Sequence, residues 1–336
     1  MRIKRSGNKQ RLLDALNLRF TGEVPFFEAY VAGNIVDEVM GRPMCGKHML
    51  QLDALDYVEF IQRTGMDAGY IGAGWSLGRK EKIDEAGRVH YVDGTIKSRA
   101  DLGQIKMPSL DIIRCKIEAF LTAIEGTKLG VIFALDEAPN LVFTAIGPGD
   151  SLLAISDNPG FVNEFLDRVE EYTLLALEVV LEYPIDALFL TGPMCGKNGP
   201  IISPEMHEQF VFPRIEKMMD IVRPRGLPVF LHSDGDNTVF MEWIIKTGFA
   251  SLHPIEPSEG KIDIYNLKAL YGDQLCLCGN IDVGKVLSRG KPEEVCEDTL
   301  EHLRRLTPGG GYICGSSHDI TENIPFENFK AMVETI

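Results

Sequence analysis

Short apolar runs alternate along this chain with longer stretches in which apolar residues recur every three or four positions. Eight short runs read as strands: Val24–Tyr30, Asp67–Gly72, Gly130–Leu135, Asp186–Thr191, Pro228–His232, Ala250–Ile255, Gln274–Cys278 and Gly311–Gly315. Ala187-Leu188-Phe189-Leu190 and Val229-Phe230-Leu231 are continuously apolar, as suits parallel strands covered on both faces. Helical periodicity predicts helices over Asn158–Leu181, with Asp157 as cap and Pro159 in the first turn, and over Pro204–Val222, capped by Ser203. Glu294–Leu306 and Asn328–Ile336 follow the same pattern. Eightfold alternation of strand and helix predicts one α/β domain spanning residues 1–336, a (β/α)8 TIM barrel. An open, doubly wound sheet is the alternative, although no GxGxxG follows any strand. Gly74–Lys106 breaks the rhythm. It is polar, contains Glu85-Ala86-Gly87-Arg88, and reads as a hairpin or long loop laid across the barrel mouth.

Composition narrows the function classes. The net charge is -15, and Lys and Arg are scattered apart from the basic start, which argues against nucleic acid as a partner. No apolar run is long enough to predict a membrane span. The start, Met1–Arg11, lacks the apolar stretch of a secretory signal, so a cytoplasmic location is expected. Seven cysteines without a CxxC pair predict reduced thiols and no zinc ribbon. Pro43-Met44-Cys45-Gly46-Lys47 recurs as Pro193-Met194-Cys195-Gly196-Lys197 with unmatched flanks, which reads as chance or shared loop chemistry.

In a barrel, chemistry sits at the C-terminal ends of the strands. Those ends carry Glu28, Asp136 with Glu137, Thr191, His232 with Asp234, Glu256, Asn280 with Asp282, and His318 with Asp319. His232 closes the apolar run Pro228–Leu231, so its imidazole leaves the core at the mouth. Two imidazoles and two carboxylates from three strand ends form an N/O set that zinc accepts; a metal-free polar network is the plainer alternative. Phe26, Tyr70, Met194, Cys195 and Cys278 are candidate pocket residues. No GxSxG elbow is present, which sets serine nucleophiles aside.

Several segments together resemble the uroporphyrinogen decarboxylase superfamily, in its branch of cobalamin-linked methyltransferases. They are Val24-Pro25-Phe26-Phe27-Glu28, Gly94-Thr95-Ile96-Lys97-Ser98, Gly199–Glu205, His232-Ser233-Asp234-Gly235, His253-Pro254-Ile255-Glu256-Pro257, Gly279-Asn280-Ile281-Asp282, Gly309–Tyr312 and Ser316–Ile320. Their order and spacing carry the likeness over nearly the whole chain. The resemblance implies the barrel fold. It also implies a zinc site in which the family's histidine falls on His232 and its glutamate on Glu256, while its two cysteines fall on Asp234 and His318. Replacing both thiolates puts thiol methylation in doubt. An oxygen- and nitrogen-rich zinc is the stronger Lewis acid, suited to an ether oxygen. The expectation is therefore a zinc-dependent methyltransferase of the O-demethylating kind. It would move methyl from a methoxylated, aryl ether substrate to the cobalt(I) of a corrinoid (cobalamin) carried by a partner protein. His232, Asp234 and Glu28 are the expected catalytic residues, and His232, Asp234, Glu256 and His318 the metal ligands. The alternatives are a metal-free decarboxylase or lyase, with Asp234 or Glu28 as proton donor, and a non-catalytic tetrapyrrole-binding module. The decarboxylase's arginine-rich N-terminal signature is missing from Phe27–Gly33.

Overall fold

The computed structural model describes residues 3–83, 89–192, 194–257 and 262–336. The Glu85–Arg88 stretch and Pro193 lie outside them. In chain order the strands are β1 (Ala68–Gly72), β2 (Arg79–Ile83), β3 (Val89–Gly94), β4 (Gly130–Asp136), β5 (Ala187–Thr191), β6 (Cys195–Gly196), β7 (Gly199–Pro200), β8 (Val229–His232), β9 (Ser251–His253), β10 (Cys276–Cys278) and β11 (Tyr312–Ile313). One sheet of seven strands runs β1-β4-β5-β8-β9-β10-β11, every neighbouring pair parallel. The antiparallel pair β2–β3 is the hairpin expected within Gly74–Lys106.

The expected closed eight-stranded TIM barrel is not formed: the sheet is open, with β1 and β11 at its edges. The first expected strand, Val24–Tyr30, contributes no ladder, only isolated bridges such as Phe26 to Cys314. Backbone bonds at this seam are few, among them Phe27 N–H to Cys314 O at 3.2 Å, Cys314 N–H to Pro25 O at 2.9 Å and Asp67 N–H to Phe26 O at 3.1 Å. The reason is local. Pro25 has no N–H to give, and the Phe26 N–H is spent on the Asp67 carboxylate at 2.9 Å.

Alternation along each strand decides what faces inward. Ala68, Ile132, Ala187, Phe189, Phe230, Cys276, Cys278 and Ile313 form one buried cluster with Phe27. The helix Lys9–Leu16 adds Leu12, Ala15 and Leu16 to it. The intervening strand residues, including Val131, Phe133, Leu188, Leu190 and Leu231, pack with the helices in a larger core. Burying each such side chain contributes about 1.5–3 kcal/mol. Continuing the inward parity one step beyond the apolar cluster brings Asp136, Thr191, His232 and His253 to the strand ends.

The helices differ in detail from expectation. The long one runs Pro159–Val180 and is capped by Asn158, whose side chain accepts the Phe161 N–H; Asp157 instead ends the preceding helix. The stretch after Ser203 divides into Pro204–Phe210 and Phe212–Val222, because Pro213 supplies no N–H to continue the first ladder. The last two helices are Pro292–Leu306 and Phe326–Thr335. Among the described residues no helix is long and apolar enough to cross a membrane.

Candidate active site

The turn after β8 is built by its own side chains. Asn237 Nδ2 donates to the carbonyls of Ser233, Asp234 and Gly235 at 2.8, 3.2 and 3.3 Å, and Ser233 Oγ donates to Asn237 Oδ1 at 2.7 Å. Gly235 has φ +70° and lies against the Gly196 carbonyl; a Cβ there would come within 2.2 Å of it. Only glycine fits both the backbone angle and the space. The turn presents Asp234 to two imidazoles. Asp234 Oδ1 stands 3.4 Å from His232 Nε2 and 3.3 Å from His318 Nε2.

A third imidazole completes the group. His253 closes β9 in register with His232 on β8, and their Nδ1 atoms lie 3.0 Å apart. Phe189 flanks both rings at 5.4 and 5.1 Å between centroids, and Phe27 stands 5.8 Å from His253. Burial lowers both pKa values, that of His253 well below the ordinary histidine range. A neutral pair shares one proton between the two Nδ1 atoms.

His318 behaves differently. Its hydrogen bond to Asp234 raises it to about 9, against the opposing effect of burial, with Asp319 and Glu256 adding to the rise. Burial pushes Asp234 up, but the His318 bond and the surrounding imidazoles outweigh it and bring it to about 2. The Asp319 N–H lies 2.7 Å from His318 Nδ1, a contact that suits a neutral ring. The neighbouring carboxylates of Asp234, Asp319 and Glu256 favour the imidazolium form.

Of the four expected metal ligands, His232, Asp234 and His318 are brought together. Glu256 is turned onto the Gly235 N–H, 2.6 Å from Oε2. Among the described residues no group of three or more His, Cys, Asp or Glu is arranged to hold a metal ion. The Asp234 carboxylate faces both imidazoles directly. Glu28 is buried, accepts the Ser316 N–H at 2.8 Å and lies 2.6 Å from Ser316 Oγ; burial raises it to about 8.

A cavity of about 490 Å³ opens at the ends of β1, β4 and β5. Its walls include Leu50, Leu52, Tyr70 and Ile71, with Asp136 and Thr191 at its floor. Thr191 is the register partner of His232, so the cavity adjoins the imidazoles. Tyr70 lines this cavity. Phe26 packs in the outer core, while Phe27 faces inward. Met194 and Cys195 are buried, and Cys278 lies in the inner core beneath the site; none of the three lines this cavity. A larger space of about 730 Å³, lined by Lys4, Arg5, Glu59 and Arg63, lies near the N-terminal ends of β1 and β4 and holds none of these groups. His253 was missed as a candidate because its strand was read through to Ile255. The available signal was parity: it shares the inward register of His232.

A family profile described as "Uroporphyrinogen decarboxylase (URO-D)" matches residues 75–336. A methylated-thiol–coenzyme M methyltransferase of Methanosarcina mazei is 24% identical over 254 residues, 75% of this chain and 59% of that protein. A uroporphyrinogen decarboxylase of Pseudoalteromonas atlantica is 25% identical over 188 residues, 55% of this chain and 50% of that protein. The chain therefore spans between half and three-fifths of the length of these two relatives. A solved methyltransferase from Methanosarcina mazei superposes with a TM-score of 0.75 at 17% identity, covering 98% of both chains, a likeness of fold. With the profile covering more than half of its length, the chain belongs to the uroporphyrinogen decarboxylase family.

Proposed function

We propose that this chain is a methyltransferase that removes methyl from a methoxylated small molecule and passes it to a corrinoid protein. The observation that carries the reading is the His318–Asp234 pair, a ring Nε2 held 3.3 Å from a carboxylate oxygen, at the strand ends near which a largely apolar cavity opens. An alkoxide or phenoxide is a basic leaving group, and its departure is eased by a proton donor. A thiolate leaves without one, so an acid at this place favours an ether oxygen over a thioether.

The reduced corrinoid of the partner supplies the nucleophile. The chain's own residues do the rest. The apolar walls around Tyr70 and Ile71 hold the donor and exclude water. The ether oxygen, set beside Asp234 at the Nε2 edge of His318, takes the Nε2 proton as the methyl–oxygen bond breaks, and the hydroxylated product leaves. Asp234 keeps the imidazole protonated beforehand and fixes its direction. His253 holds the His232 ring through Nδ1, so that its Nε2 edge faces Asp234. No step is routed through zinc.

Decarboxylation of a polycarboxylate suits the site less well. Among the described residues lining the cavity, Lys116 is the sole cation, and its Nζ is bonded to the Gly72 and Ala73 carbonyls at 3.0 Å each. Asp136, Asp234, Glu256 and Asp319 would repel such a substrate.

Methyl transfer to cob(I)alamin from a panel of aryl methyl ethers, methylamines and thioethers tests the reading. Turnover of ethers, lost in His318→Ala, is expected. Turnover of thioethers alone would overturn it. Zinc quantification on the same protein checks the acid: stoichiometric zinc that disappears in His232→Ala would replace the imidazolium as the group acting on oxygen.

A further inference from the structure

Glu28 lies two residues beyond Phe26 and Ser316 two beyond Cys314, so the Phe26–Cys314 bridge sets them side by side. Glu28 Oε1 accepts the Ser316 N–H at 2.8 Å, and Oε2 is 2.6 Å from Ser316 Oγ. The same hydroxyl also contacts the carbonyl oxygen of His318. A serine hydroxyl has one hydrogen, and a carbonyl oxygen only accepts. The hydrogen of Ser316 therefore goes to His318 O, and the second contact is satisfied only if Glu28 brings a hydrogen of its own. A carboxylate could not; a carboxylic acid can.

We infer that Glu28 is a positioning residue that, as an uncharged carboxylic acid, locks Ser316 against the His318 carbonyl and so aims the His318 imidazole at Asp234. This rests on the proposed role of His318 as proton donor. The surroundings agree with the uncharged form. Burial raises the Glu28 pKa to about 8, although the Ser316 bonds oppose it, and Asp319 adds to the rise. The other groups that feel its charge are the thiols of Cys278 on β10 and Cys314 after β11, both themselves raised by burial. The backbone is as tightly set as the side chain: a Cβ on Gly315 would lie 2.4 Å from the Phe27 carbonyl oxygen.

The test compares Glu28→Gln, Glu28→Ala and Ser316→Ala in the full chain. Turnover, the thermal transition and the His318 titration by NMR with labelled histidine are measured for each. Glutamine can donate to Ser316 Oγ and accept the Ser316 N–H, so Glu28→Gln acts as the conservative rescue: it leaves the His318 titration in place and retains at least about fivefold more kcat than Glu28→Ala. Glu28→Ala lowers kcat about tenfold or more with KM little changed, as expected for misalignment of a reacting group. It also moves the His318 titration from about 9 towards the ordinary 6.5. Ser316→Ala does the same, and it decides the matter if Glu28→Ala does not fold. Equal damage in Glu28→Gln and Glu28→Ala overturns the inference, since it would mean that the charge is needed. An unchanged His318 titration in both alanine variants also overturns it. If the wild-type protein transfers no methyl at all, the proposed function fails, while the titration still reports on Glu28.

Discussion

Three imidazoles meet at one mouth, and their surroundings divide them. His232 and His253 are buried against Phe189 and against each other, which lowers both; His318 is raised to about 9 by its bond to Asp234. The rate should therefore follow the His318 proton. We expect kcat to hold through neutral pH and fall as pH rises through about 9. His318→Gln should abolish that alkaline limb and lower kcat by about a hundredfold or more, the usual contribution of a positioned acid; a pH–rate profile of both proteins checks this. The pair also couples stability to pH. Its histidine part is fully present below the usual histidine range and fades as pH rises through about 9. Its aspartate part is present above the usual carboxylate range and fades as pH falls through about 2. The imidazolium was not legible in the sequence, because it depends on a carboxylate 84 positions away in the chain, brought close only by folding. The presence of His232, Asp234 and His318 at strand ends was legible, because each follows an apolar run.

At the scale of elements, the β8 turn is the piece on which the site depends. Gly235→Ala would place a methyl group 2.2 Å from the Gly196 carbonyl and oppose a left-handed backbone angle. We expect the turn to shift, Asp234 to lose its place between the imidazoles, and turnover to fall by about tenfold or more. A lowered thermal transition should accompany it, and calorimetry beside the turnover assay checks both. Gly196 belongs to the second copy of the repeated pentapeptide, and Gly46 in the first copy makes a similar approach to Gly33, where a Cβ would lie 2.3 Å from the Gly46 oxygen. Shared loop chemistry thus has a physical form: a carbonyl packed on a glycine of another loop. Phe26 and Phe27 part at the same scale. Both are apolar neighbours in sequence, and only pairing with Cys314 decides which one points inward.

The whole molecule is held at the opposite end from the mouth by one buried acid. Asp67 receives Arg5 at 2.6 Å, Arg11 at 2.7 Å, and the backbone N–H groups of Asn8 and Phe26 at 2.7 and 2.9 Å. It ties the N-terminal segment, the first expected strand and β1 to one another. Asp67→Ala would leave the Arg11 guanidinium buried without its principal partner and should cost about 3–5 kcal/mol; denaturant unfolding at neutral pH measures it. The alternation of strand and helix was legible because parallel strands buried on both faces are apolar throughout. Closure was not, since hydropathy at Val24–Tyr30 resembles that of a true strand, whereas ladder formation depends on available N–H groups. Pro25 lacks one and Phe26 gives its own to Asp67.

That seam has a consequence in time. An interior strand of the sheet is released only when ladders on both sides open together. Along 25–31 a few bonds suffice, so this edge is expected to open locally, well before global unfolding. Under native-state deuterium exchange, the amides of Phe27 and Cys314 should exchange with a lower opening free energy than those of Phe189 or Leu190, which sit between β4 and β8. Glu28 hangs on the labile edge, so each such opening would momentarily release the turn that carries His318.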